Sequence, residues 1–223
     1  MWSNGALQVD HAAHDGTIAQ HAYVELKHQI VSLALAPGST IRESDLQRQL
    51  GLGRTPLRDA LQRLAHDGLL RIYPRRAIVV PKLGLAEVRE LFEVRLALEP
   101  TATALAAERL TPPELELVGD LAKQLRGMSE RSDANGFLQV DQAFHRAVAG
   151  LSRNALLVAY IDELQTLNLW LWNMYFHSHT VRRADLFSHE PIVDALLRGD
   201  ARSAEAAMRA HIASSKEQLL AGL

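Results

Sequence analysis

Asp141 and His145 stand four residues apart, a spacing that places both on one face of a helix, about one turn from each other. His189 opens a later helical segment and His211 lies within the last one. A carboxylate and three imidazoles suit a first-row divalent ion and leave coordination positions for water or a ligand. The chain has ten histidines, so spacing alone leaves chance recurrence open beside a metal site. It has no cysteine, so any metal must be held by nitrogen and oxygen, and a disulfide framework is excluded.

A second group lies earlier. Arg54, Thr55 and Arg58 cluster at the start of a helical segment, where a recognition helix meets base edges and backbone N–H groups can hold phosphate. Arg75 and Arg76, between two short β-like runs, suit a hairpin wing lying along a nucleic-acid backbone or minor groove. Arg48 and Arg63 sit on polar helical faces and read as solvated surface.

Helices must position both groups. Ile18 to Leu35 has apolar residues at helical spacing (Ile18, Ala22, Leu26, Ile30, Leu33) and is followed by the turn Ala36-Pro37-Gly38-Ser39. Glu43 to Leu50 forms a second helix ended by Gly51. A third starts at Thr55 as N-cap with Pro56 just inside, carries Leu57, Leu61, Leu64 and Ala65, and stops at Asp67-Gly68. Leu69 to Tyr73 and Ala77 to Val80 read as the two wing strands. Tyr23 to Pro81 is thus expected to form a winged helix-turn-helix.

From Leu85 the periodicity is helical throughout. Helices are expected over Leu85 to Arg109, Glu114 to Arg131, Phe137 to Leu151, Asn154 to about His177, about Asp185 to Arg198 and Ala201 to Leu220, with a break at Ser132 to Gly136. The fold class is therefore mainly α: residues 17–82 a DNA-binding unit with a small β-hairpin, and residues 83–223 an all-α bundle. Residues 1–16 are expected to be a poorly ordered leader.

Charge divides in the same place. Thr40 to Lys82 has nine Lys or Arg against four Asp or Glu, whereas Leu83 to the end has fourteen against nineteen. A small basic module is the footprint of a phosphate-binding unit. The N-terminus lacks the pattern of a signal peptide and no segment is apolar enough to span a bilayer, so a cytoplasmic protein is expected.

The run PGSTIRESDLQRQLGLGRTPLRDALQRLAHDGLL resembles the N-terminal domain of the GntR family of bacterial transcription regulators. The resemblance implies that Arg54 and Arg58 contact bases or phosphates, that Thr55 supports them through phosphate, and that Arg42 and Ser44 approach the backbone. The wing usually has glycine where this chain has Arg76, which would constrain the turn. Further on, DQAFHRAVAG, HEPIVDALLRGD and AEAAMRAHI resemble the FCD domain of the FadR-type branch. Its metal-binding members imply that Asp141, His145, His189 and His211 are ligands of a divalent ion, zinc before nickel or manganese. Pro191 then has to lie in the first turn of the helix that His189 opens. Asp185 ranks below Asp141 as an oxygen donor.

FEVRLALEPTATALAAERL resembles the first helix of that domain, which implies that Arg95 faces a pocket and grips an effector carboxylate. Without the resemblance, Arg95 would pair with Glu99 on a helix surface. The aromatic segment Asn168 to His179 cannot turn all its rings one way; Asn173, His177 and His179 are pocket candidates within it. The resemblance further implies a homodimer on paired operator half-sites and a repressor released by a small organic acid. A DNA-binding protein with a purely structural metal is one alternative. A metal-dependent hydrolase using Glu190 as base is another, weakened by the absence of a catalytic pattern.

Overall fold

The computed structural model describes residues 18–74, 76–131, 134–178 and 189–221. The chain divides into two compact units, Met1–Lys82 and Leu83–Leu223. The expected leader lies outside the described residues.

In the first unit, α1 (Ile18–Val31), α2 (Glu43–Leu50) and α3 (Arg54–His66) pack through Ala22, Leu26, Ile30, Leu46, Leu57, Ala60, Leu61 and Leu64, all buried. The helical stripe therefore faces inward, although Ile18 at its start is exposed. The first helix ends earlier than expected. Leu33 takes a left-handed φ of 66° and breaks the helical hydrogen bonding before Leu35. Gly51 caps α2 at φ 65°, a conformation that costs glycine little, and its N–H reaches the carbonyl of Gln47.

The start of α3 also differs from expectation. Gly53, in extended conformation, is the N-cap, and Thr55 is the second residue of the helix. Arg54 thereby becomes the first helical residue, on the turn whose N–H groups are left open.

The sheet has one strand that the sequence does not announce. β1 (Thr40–Ile41), β2 (Arg71–Tyr73) and β3 (Ala77–Val79) are antiparallel in the order β1-β3-β2. Two-residue β1 is too short for alternation to be visible. Its pairs Thr40 with Val79 and Ile41 with Ile78 tie the turn before α2 to the hairpin, where Ile72 also faces Ile78. Leu69 and Leu70, expected in the strand, are buried ahead of it.

The second unit is a bundle of α4 (Leu85–Arg109), α5 (Pro112–Arg131), α6 (Ala134–Leu151), α7 (Ala155–Ser178), α8 (Glu190–Leu197) and α9 (Ala201–Ala221). α4 packs against α6, α7, α8 and α9. Val88, Phe92, Ala106, Phe144, Ile192, Met208 and Ile212 are among the buried residues of one apolar core. α4 holds a proline: Pro100 has no N–H for the Leu96 carbonyl, which instead accepts from Arg209 Nη1 at 3.2 Å. Of the expected break at Ser132 to Gly136, Ala134 to Gly136 are helical, and Ser132 and Asp133 lie outside the described residues. α8 begins at Glu190, with Pro191 in its first turn, where the missing N–H costs nothing. Asp185 and His179 lie outside the described residues.

Candidate functional site

Three helices of the second unit converge on one polar cluster. Asp141 and His145 come from α6, His211 from α9, and His189 is the N-cap of α8. All four are buried, and each offers a ligand atom lying within 4.8 Å of the others. His189 Nε2 is 2.9 Å from Asp141 Oδ1, His145 Nε2 is 3.7 Å from the same oxygen, and His145 Nε2 is 3.3 Å from His211 Nε2. Two donors each about 2.1 Å from one ion lie roughly 3 to 3.4 Å apart. The spacings of 2.9, 3.3 and 3.7 Å lie around that range, and the donor set of one carboxylate and three imidazoles suits a divalent ion. The residues present therefore fit a metal.

The surroundings hold the cluster in place. Phe144, fully buried, sets its ring edgewise to His189 with centroids 4.7 Å apart. Burial pushes the His211 imidazole well below the ordinary histidine value, and the charges of His189 and His145 act in the same direction. For Asp141, burial acts to raise the carboxyl, but His145, His189 and His211 outweigh it and hold the group below the usual carboxylate range.

Arg95 lies beside this cluster and is almost wholly buried, unlike the surface pair with Glu99 that helical spacing alone would give. The pairing itself is present: Arg95 Nε donates to Glu99 Oε1 at 2.6 Å, and Nη1 donates to Asn168 Oδ1 at 2.6 Å. Glu99 is buried too, and its other oxygen lies 2.6 Å from His145 Nδ1. Burial pushes the Glu99 carboxyl up, yet Arg95 and His145 bring it down to about 2.

A cavity of about 10 Å³, room for roughly one water, is lined by Arg95, Asp141, Asn168, Trp172 and His211 among others. Asn173 and His177 are not among its lining residues; Asn173 is half-buried and His177 exposed. The α7 residues that reach the cavity are Asn168, Trp172 and Phe176, spaced by four. Asn173 and His177 sit one residue further on, about 100° round the helix.

In the first unit two of the predicted contacts, Arg54 and Arg58, share one acidic partner. Arg58 Nε donates to Glu43 Oε1 at 2.9 Å, and Arg54 Nε lies 3.6 Å from the same oxygen. Arg42, Ser44, Arg54, Thr55 and Arg58 are all exposed. Arg76 is exposed, and its N–H closes a turn onto the Tyr73 carbonyl at 3.0 Å. Among the described non-glycine residues only Leu33 and Arg153 have positive φ. Arg76 therefore needs no glycine-like backbone, and the expected constraint does not arise. Arg75 lies outside the described residues.

Glu43 and the Glu99–His145 contact escaped the sequence reading. Glu43 precedes Arg58 by fifteen residues, and Glu99 precedes His145 on a different helix, so no local period marks either pair. Asn168 stood inside the aromatic run, where residue type alone did not single it out.

Comparison with known proteins accords with these features. Residues 18–80 match the model described as bacterial regulatory proteins, gntR family, and residues 90–214 match the FCD domain. The chain is 35% identical over 140 residues to the HTH-type transcriptional regulator McbR of Escherichia coli (strain K12), spanning 63% of each chain. It is 27% identical to the HTH-type transcriptional repressor RspR of the same organism over 91% of this chain and 89% of that one. The solved structure of E. coli McbR/YncC superposes with TM-score 0.79 at 26% identity, covering 92% of this chain and 98% of that one. With a basic helix-turn-helix head and a helical unit around a buried Asp/His cluster, the chain belongs to the gntR family of bacterial regulatory proteins and is a transcriptional regulator carrying an FCD domain.

Proposed function

We propose that this regulator responds to a metabolite: a small organic acid binds in the helical unit beside a divalent metal and changes affinity for operator DNA. The observation that supports this most is that Arg95 and two of the four donors, Asp141 and His211, line one cavity. Asp141, His145, His189 and His211 would hold the ion, zinc before nickel or manganese. The ion would supply a fixed positive charge for a carboxylate or its neighbouring oxygens. Arg95 would take the acid through the N–H groups that Glu99 and Asn168 leave over, since a guanidinium has five.

The size of the cavity bears on mechanism. Room for about one water does not admit an organic acid without movement of the lining side chains. Acid binding would therefore favour a second arrangement of the helical unit, and operator affinity would follow as the coupling between two sites.

In the same reading Arg54 and Arg58 read the operator, with Arg42, Ser44, Thr55, Arg75 and Arg76 on its backbone. Two copies would bind half-sites roughly 34 Å apart, and repression would be lifted by the acid. The name of the relative RspR as a repressor supports that direction. Among the described residues no helix is long and apolar enough to cross a membrane, which accords with a cytoplasmic site of action.

The test is a fluorescence titration of DNA from upstream of the gene with zinc-loaded protein, repeated with a panel of small mono- and dicarboxylic acids. At least one acid shifts the midpoint several-fold. If none does while zinc is bound stoichiometrically, the sensing role is wrong and a structural metal takes its place.

A further inference from the structure

We infer that Glu99 is a positioning residue for the metal site, fixing the ring of His145 so that Nε2 presents its lone pair to the cluster. This rests on the reading of Asp141, His145, His189 and His211 as ligands. The geometry is a chain of contacts through buried groups. Asn168 Oδ1 takes Arg95 Nη1 at 2.6 Å, Arg95 Nε donates to Glu99 Oε1 at 2.6 Å, and Glu99 Oε2 lies 2.6 Å from His145 Nδ1.

A carboxylate held by a guanidinium accepts hydrogen bonds and donates none. The proton at the 2.6 Å contact therefore belongs to His145 Nδ1, and in the neutral ring the other nitrogen is left as acceptor. That other nitrogen, Nε2, is the atom 3.3 Å from His211 Nε2 and 3.7 Å from Asp141 Oδ1. A second partner of this kind orients a metal-ligating imidazole and selects its tautomer. Here the same carboxylate also holds Arg95, so the group proposed to grip the acid and a group proposed to hold the ion share one anchor.

Glu99→Gln separates the roles sharply. The N–H groups of Arg95 still require an oxygen, so the introduced amide turns its oxygen to Arg95 and its NH₂ to His145. His145 Nδ1 must then accept, and the proton moves to Nε2, where it blocks coordination.

The measurement is the protonation of the His145 ring nitrogens in metal-free, ¹⁵N-labelled full-length protein, read by long-range ¹H–¹⁵N NMR and assigned with His145→Gln. The expected result is Nδ1–H in the wild type and Nε2–H in Glu99→Gln, with zinc affinity of the variant about 10- to 100-fold weaker. An Nε2–H ring in the wild type, or the same tautomer in both proteins, overturns the inference even if zinc binds. Because the wild-type tautomer needs no variant, misfolding of Glu99→Gln does not remove the test. Nδ1–H in a wild type that takes up no zinc would support the positioning by Glu99 and defeat the metal reading instead.

Discussion

Asp141 Oδ1 and His189 Nε2 meet at 2.9 Å, although one residue lies within α6 and the other caps α8. The contact gathers ligand atoms from separate helices onto one point. Pro191 separately places the start of α8 just after His189, since a proline is tolerated in a first turn.

The reading head yields the first prediction. Arg58→Ala should weaken specific operator binding by about 1 to 3 kcal/mol, roughly 5- to 150-fold, while zinc uptake by the helical unit is unchanged. DNA titration and metal analysis of the same preparation check both halves.

Glu43 should matter in the opposite sense. Its carboxylate holds Arg58 at 2.9 Å and lies 3.6 Å from Arg54, which restrains both side chains and offsets charge near phosphate. Glu43→Gln should raise affinity for random-sequence DNA and lower the ratio of specific to non-specific binding. Parallel titrations on operator and scrambled duplex at two salt concentrations read this out, and an unchanged ratio counts against it.

Stability in the helical unit should depend on the Arg95–Glu99 pair as a pair. Arg95→Gln leaves a buried carboxylate without its guanidinium and should cost about 3 to 5 kcal/mol. Adding Glu99→Gln should restore part of that loss, because the uncompensated charge is gone. Urea unfolding of the wild type, both single variants and the double variant closes the cycle.

Acid should destabilise the metal-free protein. His211 is held below the ordinary histidine value, first by burial and then by the neighbouring imidazoles. The unfolded chain therefore takes up a proton near about pH 6.5 that the folded chain refuses, and stability falls as pH drops through that value. Glu99, lowered to about 2 from 4.5, adds a further loss below about pH 4.5. Both act in one direction: full stability above neutrality, declining on acidification. Urea midpoints measured at pH 8, 6 and 5 should decrease in that order.

Much of this organisation could be read from the sequence because it is local. The bounds of α2 and α4 follow from period and stop signals, and Asp141 with His145 follows from one helical turn. The rest depends on contacts between distant segments. β1 is two residues long and exists only because β3 pairs with it. Asn173 and His177 stand out by residue type in an aromatic helix, but a rotation of about 100° separates them from the face carrying Asn168 and Trp172. The burial of Arg95 and Glu99 is likewise set by α6, α7 and α9 closing over α4, which no window of sequence contains.

The proposed metal site draws four residues from two helices and a helix cap. Its most direct test is a zinc titration of metal-free protein against a chromophoric chelator, for the wild type and Asp141→Ala. One tightly held ion per wild-type chain is expected, with at least about 10-fold weaker binding in the variant, as removal of a ligand must exceed loss of its outer partner. A wild type that takes up no stoichiometric ion, or an Asp141→Ala protein that binds as tightly, would contradict it.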